Sequence, residues 1–107
     1  LRRLLPGGVQ PPHPADGATL TRNDGDGRYE LRRDDELLAI ATFHEHGNVT
    51  TIPHTETRMD LRGHGIGAVL VAGVLDGLRA QGRTVEPQCW FVAQFIDENP
   101  AYRDLLA

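Results

Sequence analysis

Between residues 57 and 66 the apolar pattern changes period, and the run Arg62-Gly63-His64-Gly65-Ile66-Gly67 marks the join. Upstream, Arg28-Tyr29-Glu30-Leu31-Arg32 alternates polar with apolar, as a half-buried strand does. Downstream, Ile66, Val69, Leu70, Val74 and Leu78 recur at helical spacing, and Gly82 supplies a stop. This predicts a helix over 65–81. Gly73 and Gly77 fall on its stripe, which predicts close packing of the helix on a sheet. A strand that leads into a helix and on into a second strand crosses over right-handedly, so the two strands are parallel.

Turn clusters divide the region before the join into a meander. Strands are expected at 18–22, 28–32, 37–43 and 49–57, with turns at Asn23-Asp24-Gly25-Asp26-Gly27, Asp34-Asp35 and His46-Gly47-Asn48. The acidic 23–27 cluster reads as a turn and not a calcium loop. Counted from Asp24, the positions that need a further ligand and a glutamate hold Arg28 and Asp35. Pro53 has no N–H to give a ladder, so it marks an edge or a bulge in its strand. After the long helix come a short strand at 84–88 and a helix at 90–98. Asn99-Pro100 then opens a last short helix over 100–106. The order specifies an α/β (α+β) fold: an antiparallel meander, a β-α-β crossover and C-terminal helices. Residues 1–17 hold four of the seven prolines and read as an irregular leader to one domain over 18–107.

Sheets with such crossovers bind ligands at the carboxyl ends of the parallel strands, which places a site near 55–67 and 86–91. The glycine run lies there. A helix N-terminus offers unpaired N–H groups and partial positive charge, glycines let the backbone approach an anion, and Arg62 adds a charged donor. The run is neither a dinucleotide fingerprint, because its third glycine comes one residue early, nor a P-loop, because the chain has no lysine.

Arg62 to Gly67 resembles the Gln/Arg-x-x-Gly-x-Gly/Ala motif of the GNAT superfamily of N-acetyltransferases. The likeness extends to His54-Thr55-Glu56, Cys89-Trp90-Phe91-Val92 and Glu98-Asn99-Pro100, in the order and spacing of the small stand-alone YidJ-like GNAT domains. It covers about residues 20 to 106. The resemblance implies acetyl-CoA as donor, with its pyrophosphate on the backbone of Arg62, Gly63, His64, Gly65, Ile66 and Gly67. Its pantetheine arm would lie along Thr57, Arg58 and Met59. Two positions depart from the family pattern: Thr57 where valine is frequent, and His64 where arginine or glutamine is. The change at 64 is expected either to alter the phosphate contact or to make it sensitive to pH.

Three side chains are candidates for the chemistry. Cys89 follows the last strand and opens a helix, a position that lowers a thiol's pKa. The alternative is a small buried apolar residue. His54 and Glu56 lie two apart on one strand, so they share a face if no bulge separates them, as a base and its orienter. Tyr102, Trp90, Phe91 and Phe95 are expected to pack the core. The histidines and Cys89 lack the paired spacings of a zinc site, so no metal is expected.

Composition narrows the function classes. Eleven arginines against fifteen acids give a net charge of −4, which argues against nucleic acid as a partner. No apolar run reaches bilayer length. One cysteine precludes an internal disulfide and suits a reducing, cytoplasmic setting. The expectation is a monomeric, acetyl-CoA-dependent N-acetyltransferase acting on an unidentified amine: a protein amine, a polyamine or a small metabolite. The alternative is a CoA- or acyl-CoA-binding sensor or interaction module without turnover.

Overall fold

The alternating segments form strands in the computed structural model, which describes residue 13 and residues 15–107. They are β1 (Thr19–Asn23), β2 (Arg28–Arg33), β3 (Glu36–His46) and β4 (Val49–Thr57). Helix α1 (Ile66–Ala80) follows, then β5 (Thr84–Pro87) and α2 (Trp90–Glu98). Met59–Leu61 and Pro100–Leu105 are 3-10 helices, so the expected last short helix is of the tighter kind. Among the described residues the sheet order is β1-β2-β3-β4-β5. The first four strands pair antiparallel, and β4 pairs parallel with β5. This is the α+β meander and crossover that the sequence specifies. Of the 1–17 leader, residues 1–12 and 14 lie outside the described residues.

Alternation sorts the side chains onto two faces. Tyr29 and Leu31 of β2 sit opposite Ala41 and Ala39 of β3, all buried in the cluster that the helices cover. Helix α1 buries Ile66, Leu70, Val71, Val74, Leu75 and Leu78 there, and α2 adds Val92 and Ile96. Val69, expected on the buried stripe, is exposed, because the stripe runs through Val71 and Leu75 instead. Gly73 behaves as expected: a Cβ there would come within 3.0 Å of the Leu20 side chain of β1. Gly77 does not, since a Cβ there would meet nothing within 4 Å.

On the other face Glu30 is buried among partners. It accepts from Arg28 Nε (2.8 Å), Arg32 Nε (2.9 Å) and Asn23 Nδ2 (3.2 Å). These donors, the arginines first, hold its carboxyl down at about 2.

The bulge expected at Pro53 shapes the site. Pairing runs Thr42↔His54 and then His44↔Thr51, so Ile52 and Pro53 of β4 together oppose Phe43 of β3. The parallel ladder to β5 ends at Ile52↔Pro87. Beyond it His54 to Thr57 have a strand partner on the β3 side alone, and β4 and β5 part.

Candidate active site

The parting of β4 from β5 opens a cleft of about 610 Å³. One wall is the β4 segment His54 to Thr57; the other is Ile66, Gly67 and Ala68 of α1 with Phe91 of α2. Leu61, Arg62, Gly63 and Gly65 close one end. Gly63 and Gly65 have φ of 82° and 80°, the left-handed region that a side chain disfavours. Gly65 is the N-cap of α1, and no side chain caps that end. The first-turn amides of α1 therefore remain for an anion. A Cβ on Gly67 would lie 3.0 Å from the Phe91 ring and 3.5 Å from Thr57 Oγ1. Glycine at 67 thus leaves open space between Thr57 and the Phe91 ring that a side chain would fill, and the amides and Arg62 at the glycine end suit an anionic group.

The arginines of this region differ in their commitments. Arg58 donates to Asp60 (2.7 Å) and Glu36 (2.7 Å), which together push its pKa upward. Arg62 donates Nε to the Thr57 carbonyl at 3.3 Å, and among the described residues no carboxylate pairs with it. Arg62 is therefore the cation at the glycine end with donors to spare. Arg58 and Met59, expected on the arm of the ligand, line a neighbouring depression of about 350 Å³ and not the cleft. His64 is exposed and its side chain is not part of the cleft wall, because the turn presents backbone inward at Gly63 and Gly65.

The candidate chemical groups approach the cleft from β4 and α2. His54 and Glu56 follow the bulge, so they share a face, with His54 Nε2 3.5 Å from Glu56 Oε2 and both side chains more than half exposed. An exposed pair of this kind adds little stability. Thr55 and Thr57 point to the helix side, and Thr55 Oγ1 shares a hydrogen bond with Cys89 Sγ at 3.4 Å. Cys89 is the N-cap of α2, and its N–H donates to the Ile52 carbonyl at 2.9 Å, in the bulge. Burial pushes its thiol up. The Thr55 hydroxyl and the amides of Val92, Phe91 and Thr55 outweigh that, and the net shift is downward. Cys89 stands behind Thr55 and not in the cleft wall itself. Tyr102 lies elsewhere: its hydroxyl donates to Asp76 at 2.9 Å and its ring packs on Phe95, as a core-packing residue should.

A sequence profile of the GCN5-related N-acetyl-transferase family matches residues 28–105. The chain belongs to that family. It is thereby an acyltransferase, with a fold shared by a solved relative. A GCN5-like protein from Staphylococcus aureus, proposed to be an N-acetyltransferase and determined in solution by NMR, superimposes with a TM-score of 0.67. The two are 20% identical, over 85% of this chain and 89% of that one. No curated protein matches the chain.

In this acetyltransferase-family chain the structure adds wall residues that the sequence reading passed over. Thr55 links the cleft to Cys89, and Phe91 packs close beside Gly67 on the helix wall. The signal for Thr55 was present: residues between His54 and Glu56 on a strand point the opposite way, toward the helices. Phe91 was counted as core because its neighbours are aromatic. It is half-buried, packed against the core on one side and the cleft on the other. Trp90, also expected in the core, is 74% exposed.

Proposed function

We propose that the chain transfers an acetyl group from acetyl-CoA to an amine. The observation that carries this is the cleft between the β4 edge and helices α1 and α2, which ends at a helix N-terminus without a side-chain cap, flanked by Gly63, Gly65 and an Arg62 that no carboxylate among the described residues pairs with. Amides of the α1 start and Arg62 hold the pyrophosphate. The pantetheine arm lies along the β4 edge at His54 to Thr57, which lacks a strand neighbour beyond Ile52.

His54 serves as the base, with Glu56 orienting it. The amine nitrogen bonds to the thioester carbonyl carbon, the carbon–sulfur bond breaks, and CoA leaves as its thiolate. The proton of the attacking nitrogen passes to His54. Cys89 offers a second route: its thiolate takes the acetyl group first, forming an enzyme thioester, and the amine then displaces it. The depressed thiol supports that route; its place behind Thr55 favours direct attack. The acceptor is a cationic or neutral amine, toward which a net charge of −4 steers cations. We place the chain in a reducing compartment, the cytoplasm, as a monomer.

The test is thiol release from acetyl-CoA across a panel of amines, with Cys89→Ala and His54→Ala beside the parent. Acceptor-dependent release that Cys89→Ala keeps within about tenfold, and His54→Ala lowers about 10²-fold, is the expected result. Complete loss in Cys89→Ala alone selects the covalent route. Saturable donor binding with no release for any amine would replace the enzyme by a binding module.

A further inference from the structure

Ahead of β1 the chain makes a tight turn that is anchored in the core. Ala15 and Ala18 pack against the buried cluster, and the Ala18 N–H donates to the Ala15 carbonyl at 3.0 Å. Gly17 closes the turn with φ of 77°, a conformation that suits glycine. His13 is held at the start of this turn by three hydrogen bonds. Its N–H donates to the Asp16 carboxylate at 2.8 Å, and its carbonyl accepts from the Asp16 N–H at 2.9 Å. Its ring Nδ1 accepts from the Ala15 N–H at 3.0 Å. Local bonds of this kind fix backbone and side chain together.

The bond to Nδ1 decides what the ring presents. With Nδ1 accepting, the neutral imidazole carries its proton on Nε2, which is then a donor. Nε2 lies against the glycine turn: a Cβ on Gly65 would stand 3.5 Å from it. Gly65 is the N-cap of α1 and one of the residues that close the end of the cleft. Among the described residues Nε2 has no hydrogen-bond partner. The turn is already complete without it. A half-buried ring thus keeps an unspent donor beside the unpaired first-turn amides of α1. The sequence gives no hint of this, since the histidine expected at the phosphates is His64, within the glycine run. His64 is exposed, and His13 stands against Gly65 in its stead. Residue 13 also lies outside the stretch 28–105 that the family profile matches.

We propose that His13 is a donor-binding residue, whose Nε2–H donates to a phosphate oxygen of the acetyl-CoA held at the glycine turn. The inference rests on the acetyl-CoA reading above, and it adds to that site a side chain from outside the family's own segment. A hydrogen bond to a charged acceptor is the stronger kind, and a ring already fixed in place loses little freedom in making it. His13 therefore contributes affinity for a phosphorylated donor and none for the arm by itself.

Two variants separate the donor from the bulk of the ring. His13→Leu keeps an apolar body without an N–H, and His13→Gln restores an N–H at a similar reach. The experiment titrates the whole parent chain and both variants with acetyl-CoA and, separately, with S-acetylpantetheine, which has the acyl-bearing arm but no phosphate. Calorimetry gives the affinities, and thermal melts of the unliganded chains report on the fold. The expected result is that His13→Leu weakens acetyl-CoA about tenfold and His13→Gln recovers most of the loss. S-acetylpantetheine behaves alike with all three chains, and the three melts coincide. Equal binding of acetyl-CoA by the parent and His13→Leu overturns the inference. Tighter binding by His13→Leu also overturns it, because the ring would then be a block over the turn and not a ligand. A loss in His13→Gln as large as in His13→Leu, or an equal loss for S-acetylpantetheine, overturns it as well and makes the role structural. Failure of the parent itself to bind acetyl-CoA would contradict the acetyl-CoA reading, and the inference with it.

Discussion

At the scale of single residues, Cys89 makes the first prediction. A half-buried thiol normally titrates high, yet the amides at the start of α2 and the Thr55 hydroxyl reverse the direction. Alkylation by iodoacetamide should therefore show a pH midpoint below that of the same cysteine in the denatured chain. Thr55→Val should move that midpoint upward, and a midpoint at or above the denatured value would contradict the account. Glu30 makes a second residue-scale prediction. Its carboxyl is held down at about 2 from an ordinary 4.5, chiefly by Arg28 and then Arg32. Its folded value is below its unfolded one, so its contribution is full above about 4.5 and disappears as pH falls through about 2. Glu30→Gln should lower stability at neutral pH, flatten the acid branch of the stability profile, and converge with the parent near pH 2. Denaturant melts at stepped pH measure this. Parallel profiles at every pH would disprove it.

Among the elements, β4 and α2 have the bounds that the sequence predicts, because each is framed by strong punctuation: His46-Gly47-Asn48 before β4, and Asn99-Pro100 after α2. The bulge at Pro53 was legible because a residue without an N–H cannot sit in a regular ladder. β3 runs on to His46, past the end expected at Phe43. Its last residues are polar and carry no apolar alternation, but Glu45 is held by Arg22 at 3.0 Å and Arg83 at 3.3 Å, partners distant in sequence. Pattern reading has no access to such contacts. The same holds for the two helix glycines: both lie on one stripe, but β1 reaches Gly73 and nothing reaches Gly77. Gly77→Ala should therefore stabilise the fold by about 0.5–1 kcal/mol, since it adds helix propensity without a clash. A rise in denaturant midpoint at unchanged slope is the expected reading. A fall would mean that the space beside Gly77 is in use.

For the whole molecule, the site was legible where local order creates it and obscure where distant segments meet. The strand–glycine–helix join located the end of the cleft closed by Leu61, Arg62, Gly63 and Gly65, and the family motif at 62–67 lies on the same residues. The cleft wall required the parting of β4 from β5, which depends on a ladder ending at Ile52↔Pro87. That is why Thr55 and Phe91 were passed over, and why the expected stretch Thr57, Arg58 and Met59 only meets the cleft at Thr57. The exposed Trp90 was hidden for a related reason: two residues, about 200° of rotation, separate it from the buried Val92, and periodicity in a nine-residue helix fixes that angle poorly.

The central claim is that the cleft binds acetyl-CoA through the glycine turn. Calorimetric titration of the parent chain and of Gly65→Asp with acetyl-CoA tests it most directly. The account predicts saturable binding near one equivalent for the parent. In Gly65→Asp it predicts loss of binding with unchanged circular dichroism, because a carboxylate would then stand at the phosphate end of the cleft, at a residue with φ of 80°. Absence of binding by the parent at millimolar acetyl-CoA, or equal binding by both chains, would contradict it.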